Sequence, residues 1–376
     1  MTRPEGPGIQ SMKESEFFSR LENKAYKNKI PLEATLELTY GCNLHCVHCY
    51  NPTHKAKGEL STQEFYQIID QLSREECFLI TFTGGEIFTR TDSFEIFSYA
   101  KNKGFSIILF TNATLITPER ADRIRALEPW CVEVSIYGAT QETYEKVTGI
   151  SGSFERFLAG IERLRERKVP LLVKMPVMTL NQHEAKQAKT LVEGWGIRFV
   201  YSTEINPRQD GSLEPLQYRI TPQDLIQLDQ EILGKWDENE KEGQEEEKCQ
   251  AGEGLFHCGC GKSSMAVTPY GEMNLCINFP VPQYDLRTGS VSSGWKALVE
   301  YVDSATPSQA YECPSCSVQD YCRQGPADAW LEKGDLSPCL PYFKELATLE
   351  KKSYETSDSK QCAGCHRDRE PSKCRV

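Results

Sequence analysis

The chain has 376 residues, 39% hydrophobic and 26% charged, enough for two or three domains with ordinary buried cores. Its 43 Lys and Arg against 54 Asp and Glu leave a net charge of -11 with no basic run to counter a phosphate backbone, which argues against nucleic acid as the main partner. The longest stretch free of charged side chains, Gly104 to Pro118, is broken by Thr and Asn and is too short to span a membrane.

Positions 1–32 form an N-terminal extension with one short helical pattern, Glu14 to Ala25, and no apolar export signal, so a cytoplasmic location is expected. From 33 to 235, short apolar or β-branched strands alternate with helices. The predicted strands are Ala34 to Tyr40, Phe78 to Thr83, Ser106 to Phe110, Cys131 to Ile136, Leu171 to Val177 and Arg198 to Thr203. Between them, helical patterns run Thr62 to Ser73, Asp92 to Lys103, Pro118 to Leu127, Ser153 to Arg167 and His183 to Glu193. Ser61 with Glu64 has capping-box spacing, and Thr117 precedes a helix-opening Pro118. Such alternation implies a parallel α/β sheet with right-handed crossovers, either an open barrel or a flat doubly wound sheet. The segment 236–248, with seven acidic and two basic side chains, reads as a solvated linker. Beyond it, 249–345 is expected to be a small, loop-rich, cysteine-rich domain, and 346–376 a tail.

Cysteine distribution separates the two halves. Of 16 cysteines, five lie in 1–248 and eleven in 249–376. Without an export signal, that density favours metal ligation or redox chemistry over disulfides. Cys42, Cys46 and Cys49, in GCNLHCVHCY, follow the first predicted strand directly. Three thiolates are one fewer than a closed tetrahedral site or an ordinary cubane uses, which leaves one metal position open to a small molecule. A zinc site completed by His45, His48 or His54 is the rival reading.

This C-x3-C-x2-C run resembles the cluster motif of the radical SAM superfamily, with His48 where the family places an aromatic residue. The resemblance implies a partial (β/α)6 barrel over about 33–204 and a 4Fe-4S cluster on Cys42, Cys46 and Cys49. Its open iron would bind S-adenosylmethionine, which the cluster cleaves reductively to methionine and a 5′-deoxyadenosyl radical. Thr83-Gly84-Gly85-Glu86 ends the next strand and resembles the family's motif for the methionine amino group. By the same resemblance His48 would pack against adenine, Ser135 would meet the ribose or carboxylate of the cofactor, and Lys174 its carboxylate. Asn112 lies at the same strand ends, where β/α folds bind ligands.

In the C-terminal half, Cys258, Gly271 and Cys276 give C-x12-G-x4-C, and Cys313, Cys316 and Cys322 give C-x2-C-x5-C, with Cys339 beyond. This order is similar to the SPASM domain, whose auxiliary iron-sulfur clusters would number two. Cys313, Cys316, Cys322 and Cys339 would hold the second. Pro326 replaces a cysteine expected for the first, leaving Cys249, Cys258 and Cys276 with Cys260 as a substitute. Zinc ribbons are the rival. Cys77 and Cys131 read as core thiols, and the role of Cys362, Cys365 and Cys374 stays open between zinc, a lent thiolate and disorder.

The function implied is an enzyme that abstracts hydrogen from a ribosomally made peptide or protein. A sulfatase-type maturase and cofactor-precursor enzymes like those for pyrroloquinoline quinone or mycofactocin are alternatives. An iron-sulfur electron-transfer or scaffold protein is the non-enzymatic one. Expected partners are the substrate, an electron donor such as flavodoxin or ferredoxin, and a separate leader-binding protein, because the segment preceding the barrel is too short for a leader-binding module.

Overall fold

The computed structural model describes residues 14–51, 53, 54, 56–233 and 255–358. The acidic stretch 236–248, Cys249 and the tail cysteines lie outside them.

Six parallel strands carry the first half: β1 Glu33–Thr39, β2 Leu79–Gly84, β3 Ser106–Thr111, β4 Cys131–Ser135, β5 Leu171–Pro176 and β6 Arg198–Ser202. They pair in strict sequence order. A doubly wound sheet reverses its order at a switch point; this one never does, so it is the open (β/α)6 barrel. Period-two alternation explains how each strand works. In β1, Ala34, Leu36 and Leu38 enter the hydrophobic core, while Glu37 and Thr39 lie on the opposite face and are also buried.

Among the described residues, eight α-helices accompany these strands: α1 Glu14–Asn28, α2 Thr62–Arg74, α3 Ser93–Asn102, α4 Pro118–Leu127, α5 Gln141–Thr148, α6 Ser153–Glu166, α7 Ala185–Gly194 and α8 Pro222–Leu233. The capping box of α2 forms as its sequence predicts, and the helix buries Phe65, Ile68, Ile69 and Leu72. Thr117 caps α4 by accepting from the Arg120 N–H.

The second half has more regular structure than its cysteine density suggests. Strands β7 Ser264–Val267, β8 Glu272–Asn274 and β9 Tyr284–Asp285 are joined by α9 Val291–Ser304, α10 Pro326–Lys333 and α11 Pro341–Asp358. α11 runs across position 345, where the sequence suggests a division. Strand β7 pairs in parallel with β1, Glu33 against Ser264, so one nine-stranded sheet runs through both halves. α9 buries Val291, Trp295 and Leu298, and the Trp295 indole donates to the Lys29 carbonyl at 2.8 Å. Gly294 lets α9 approach the β-hairpin, since a Cβ there would stand 2.5 Å from the Met273 sulfur. Among the described residues, no helix is long and apolar enough to cross a membrane.

Candidate active site

The loop from Cys42 to Cys49 leaves the C-terminal end of β1 without regular structure of its own, so its backbone groups must find partners elsewhere. They find them at the last turn of α5. His45 N–H donates to the Thr148 carbonyl at 2.9 Å and Val47 N–H to the Val147 carbonyl at 3.0 Å, which satisfies two carbonyls the helix end leaves unpaired. Leu44 is buried as an anchor, and the Asn43 amide donates to the Thr114 hydroxyl at 2.7 Å. Three sulfurs are thereby held on one clamped loop.

They are largely buried, and their thiolates repel one another. Burial pushes the Cys42 thiol up to about 12, holds Cys46 well above its ordinary value and raises Cys49 as well. Cys46 is raised further by Cys49 and Cys42. Thiols in this state stay protonated until a cationic centre takes the thiolates as ligands, and the protons then leave to solvent. Tyr137, not singled out from sequence, is buried beside these thiols, its hydroxyl held well above its ordinary value by burial and then by Cys46. His48 packs against Tyr137, ring centroids 5.5 Å apart, and burial holds it down to about 4, so its imidazole is neutral. The Nδ1 of His48 and both amide atoms of Asn51 are buried with no protein partner, polar groups that a bound molecule would satisfy.

The glycines press directly on this loop. Gly85 N–H donates to the Thr39 carbonyl at 2.7 Å and Glu86 N–H to the Gly41 carbonyl at 2.9 Å. A Cβ on Gly85 would lie 2.4 Å from the Gly41 oxygen; one on Gly84, which has φ +124°, would lie 2.3 Å from the Thr39 oxygen. Only glycine permits this approach. The fully buried Glu86 turns into the protein, where its carboxylate accepts from the Thr111 hydroxyl at 2.8 Å, the Asn112 N–H at 2.8 Å and the Phe88 N–H at 3.2 Å. Burial raises it despite those bonds. Asn112 in turn points its amide at the Asn43 side chain, 3.1 Å away, and at the Cys42 sulfur, 4.0 Å away.

Further round the sheet, Ser135 and Lys174 are register partners on β4 and β5, and the Lys174 ammonium lies 3.9 Å from Glu133. A second group emerges that sequence reasoning missed. Glu37 accepts from the Tyr50 hydroxyl at 3.0 Å and lies 3.3 Å from that of Tyr40, which is 2.9 Å from the Gln209 side-chain oxygen. Gln209 spends its amide N–H on the Ile277 carbonyl at 2.7 Å, so its oxygen must accept the single proton of Tyr40. Glu37, 3.3 Å from the same Tyr40 hydroxyl, is pushed up to about 7 by burial. The signal available in the sequence was a lone glutamate inside an apolar strand.

In the C-terminal half the cysteines among the described residues fall into two groups. Cys258, Cys260 and Cys276 meet: the Cys260 thiol is held well above its ordinary value first by hydrogen bonds to Cys258 and Cys276, then by burial. A tight turn in which the Gly259 carbonyl accepts from Lys262, Ser263 and Ser264 brings the first two together. Cys249 lies outside the described residues. Cys313, Cys316, Cys322 and Cys339 line one cavity. Cys313 is raised by burial, then by Cys339 and Cys316. Gln324 braces Cys339 by bonding Pro338 and Leu340 on either side. Among the described residues no three His, Cys, Asp or Glu side chains close on one point as around a single ion; the thiolates of a cubane each bind a different iron and stand farther apart.

The family model of the radical SAM superfamily matches residues 36–192, the span from β1 to α7. The AdoMet-dependent heme synthase of Methanosarcina barkeri is 30% identical over 328 residues, 81% of this chain and 94% of that protein. The chain belongs to the radical SAM superfamily. As a radical SAM enzyme it takes a 4Fe-4S cluster and S-adenosylmethionine, and the fit of the cysteine loop, the glycine cradle and the orphaned polar atoms agrees with both. The mycofactocin maturase MftC of Mycobacterium tuberculosis is 28% identical over 78% of each chain. Streptococcus suis SuiB, solved with its precursor peptide SuiA, has a TM-score of 0.67 at 14% identity, covering 91% of this radical SAM chain and 84% of its own. At that identity the likeness is one of fold.

Proposed function

We propose that this radical SAM enzyme generates a 5′-deoxyadenosyl radical at the Cys42–Cys49 loop and uses it to take hydrogen from a ribosomally made peptide. The observation that carries the chemistry is the contact of Gly84 and Gly85 with the Thr39, Tyr40 and Gly41 backbone that leads into Cys42, which sets the two backbone segments beside the three sulfurs. Cys42, Cys46 and Cys49 hold the cluster, which when bound supplies the electron that splits the sulfonium. The chain's own residues do the rest. Backbone groups of Gly84 and Gly85 receive the methionine ammonium, Glu86 keeps them in place through Thr111 and Asn112, and Asn112 orients Cys42. His48, uncharged, offers a flat face to adenine beside Tyr137, while Ser135 and Lys174 serve the ribose and carboxylate. Cys258, Cys260 and Cys276, with Cys249, hold one auxiliary cluster of a SPASM-type domain, and Cys313, Cys316, Cys322 and Cys339 the other. An acidic flavodoxin or ferredoxin is the electron donor.

The peptide reading rests on the mycofactocin maturase relative and on the open sheet. Six parallel strands do not close on themselves: β7 extends the sheet beyond β1, and the free β6 edge is the side from which an extended substrate enters. A porphyrin substrate is the second reading, favoured by the 30% identity to a heme synthase along 94% of its length. Deuterium tracing decides between them. Reduced, cluster-loaded enzyme is given a deuterated candidate precursor peptide or a deuterated porphyrin, and the 5′-deoxyadenosine is weighed. Label arriving from the peptide supports the first reading; label arriving from the porphyrin alone overturns it in favour of the second.

A further inference from the structure

An open groove lies on the outside of the barrel between the first turns of α4 and α6. Arg120 and Arg123 from α4 and Arg156 and Arg163 from α6 line it, against only Glu119 and Glu155. This is a cationic patch on a chain whose net charge is -11. Each arginine but one is fixed by the fold rather than by a carboxylate. Arg120 donates to the Leu115 and Phe88 carbonyls at 2.8 and 3.0 Å, Arg163 to the Ile116 carbonyl at 2.6 Å, and Arg123 stacks on the Phe94 ring at 4.0 Å. Arg156 projects from an exposed position of α6. Among the described residues none of the four forms a salt bridge, whereas Arg165 and Arg167 farther along the chain pair with Glu162 and Asp122. Arg120 acts by charge on the buried Glu86, and the charge of the other three is left for something outside the chain.

What lies beneath the groove identifies that partner. Its floor is the loop after β3, with Leu115 and Ile116 as an apolar centre and Thr114 at the inner end. The Thr114 hydroxyl donates to the Asn112 side chain at 2.6 Å and accepts from Asn43 at 2.7 Å, and the Asn112 amide lies 4.0 Å from the Cys42 sulfur. Two side chains thus separate the groove floor from a ligand of the SAM cluster. A fixed arginine rim around an apolar centre is the composition of a protein interface, and charge of one sign steers an oppositely charged partner to it.

We infer that this groove docks the acidic redox protein that reduces the cluster. The inference rests on the proposed function, since only an enzyme that cleaves S-adenosylmethionine reductively needs such a partner. In the encounter the partner's reduced flavin or low-potential iron-sulfur centre loses one electron and the cluster gains it. No bond forms or breaks and no proton passes between the two proteins. Carboxylates around the partner's redox centre meet Arg123 and Arg156 at the rim, and Thr114 and Asn112 connect the groove floor to Cys42.

The test uses cluster-loaded full-length enzyme and a small acidic flavodoxin as the probe. Binding is measured anaerobically by calorimetric titration at low and high salt, and 5′-deoxyadenosine formation is driven either by reduced flavodoxin or by dithionite, which needs no docking. Arg123→Glu with Arg156→Glu is expected to weaken flavodoxin binding at low salt by about tenfold or more and to slow flavodoxin-driven cleavage in parallel. Dithionite-driven cleavage stays within about twofold of wild type, because neither arginine touches the cysteine loop. Arg123→Gln with Arg156→Gln gives a smaller loss in the same direction and covers the case in which the charge reversal disturbs folding. Lys296→Glu on the exposed face of α9 changes neither measurement. Flavodoxin binding that is unaltered in both double variants overturns the inference. Wild-type enzyme that binds flavodoxin through the groove but yields no 5′-deoxyadenosine even with dithionite would instead count against the proposed function.

Discussion

Replacing Cys42, Cys46 and Cys49 together by alanine is expected to reduce 5′-deoxyadenosine formation to background while most of the iron in the C-terminal half stays bound. Each sulfur comes from one loop whose backbone is tied to α5, with Leu44 buried and the Asn43 amide bonded to Thr114. All three cysteines keep part of their surface exposed, and their removal costs the Leu44 N–H its Cys42 acceptor but leaves the bonds to α5 and to Thr114 in place, so the fold should survive. The C-terminal cysteines sit in two other groups, Cys258 with Cys260 and Cys276, and Cys313 with Cys316, Cys322 and Cys339. Iron and sulfide analysis of anaerobic protein should therefore fall by about four irons per chain, one cubane, and not to zero. Loss of all the iron would show that the groups depend on one another. Zinc in place of the remaining iron would show that the C-terminal half is a zinc domain.

Gly85→Ala is expected to cost about 100-fold in the rate of S-adenosylmethionine cleavage while leaving most of the protein folded. The added methyl would meet the Gly41 oxygen at 2.4 Å and the Tyr40 oxygen at 2.8 Å, both backbone atoms next to Cys42. No flexible side chain can turn aside to make room. Either the segment after β2 withdraws, breaking the Gly85 and Glu86 bonds to Thr39 and Gly41, or the cysteine loop shifts by about an ångström, and such a displacement accounts for two orders of magnitude. Gly194→Ala at the end of α7 meets nothing within 4 Å and should leave the rate unchanged. Anaerobic single-turnover kinetics on the two variants makes the comparison. Equal rates would show that the glycine approach serves packing alone.

What could be read in the sequence is what short-range pattern encodes. The six barrel strands stand within a residue or two of their predicted ends, because each is a short apolar run between helices with recognisable caps. The cysteine spacing placed three thiols on one loop for the same local reason. α5 was not legible: QETYEKVT is rich in β-branched residues and buries only Thr143, Tyr144, Val147 and Thr148. Yet its final carbonyls hold the cysteine loop. The pairing of β7 with β1 joins Glu33 to Ser264, and the Glu37 group depends on Gln209, contacts that span most of the chain and leave no periodic trace. Glu86 shows the opposite limit. Its motif was legible, but that its carboxylate faces inward to Thr111 and Asn112 follows only from the fold. α9 and α11 carry ordinary helical spacing in VSSGWKALVEYV and PYFKELATLEKK, set between cysteine-bearing segments that read as loops.

The most direct measurement is the formation of 5′-deoxyadenosine by wild-type protein, cluster-loaded under anaerobic conditions, reduced with dithionite and given S-adenosylmethionine. A cluster on Cys42, Cys46 and Cys49 beside the Gly84–Gly85 backbone predicts methionine and 5′-deoxyadenosine in equal amounts, dependent on the reductant and lost in the triple cysteine variant. Protein that binds its full iron and still releases no 5′-deoxyadenosine, or a triple variant that releases as much as wild type, would contradict it.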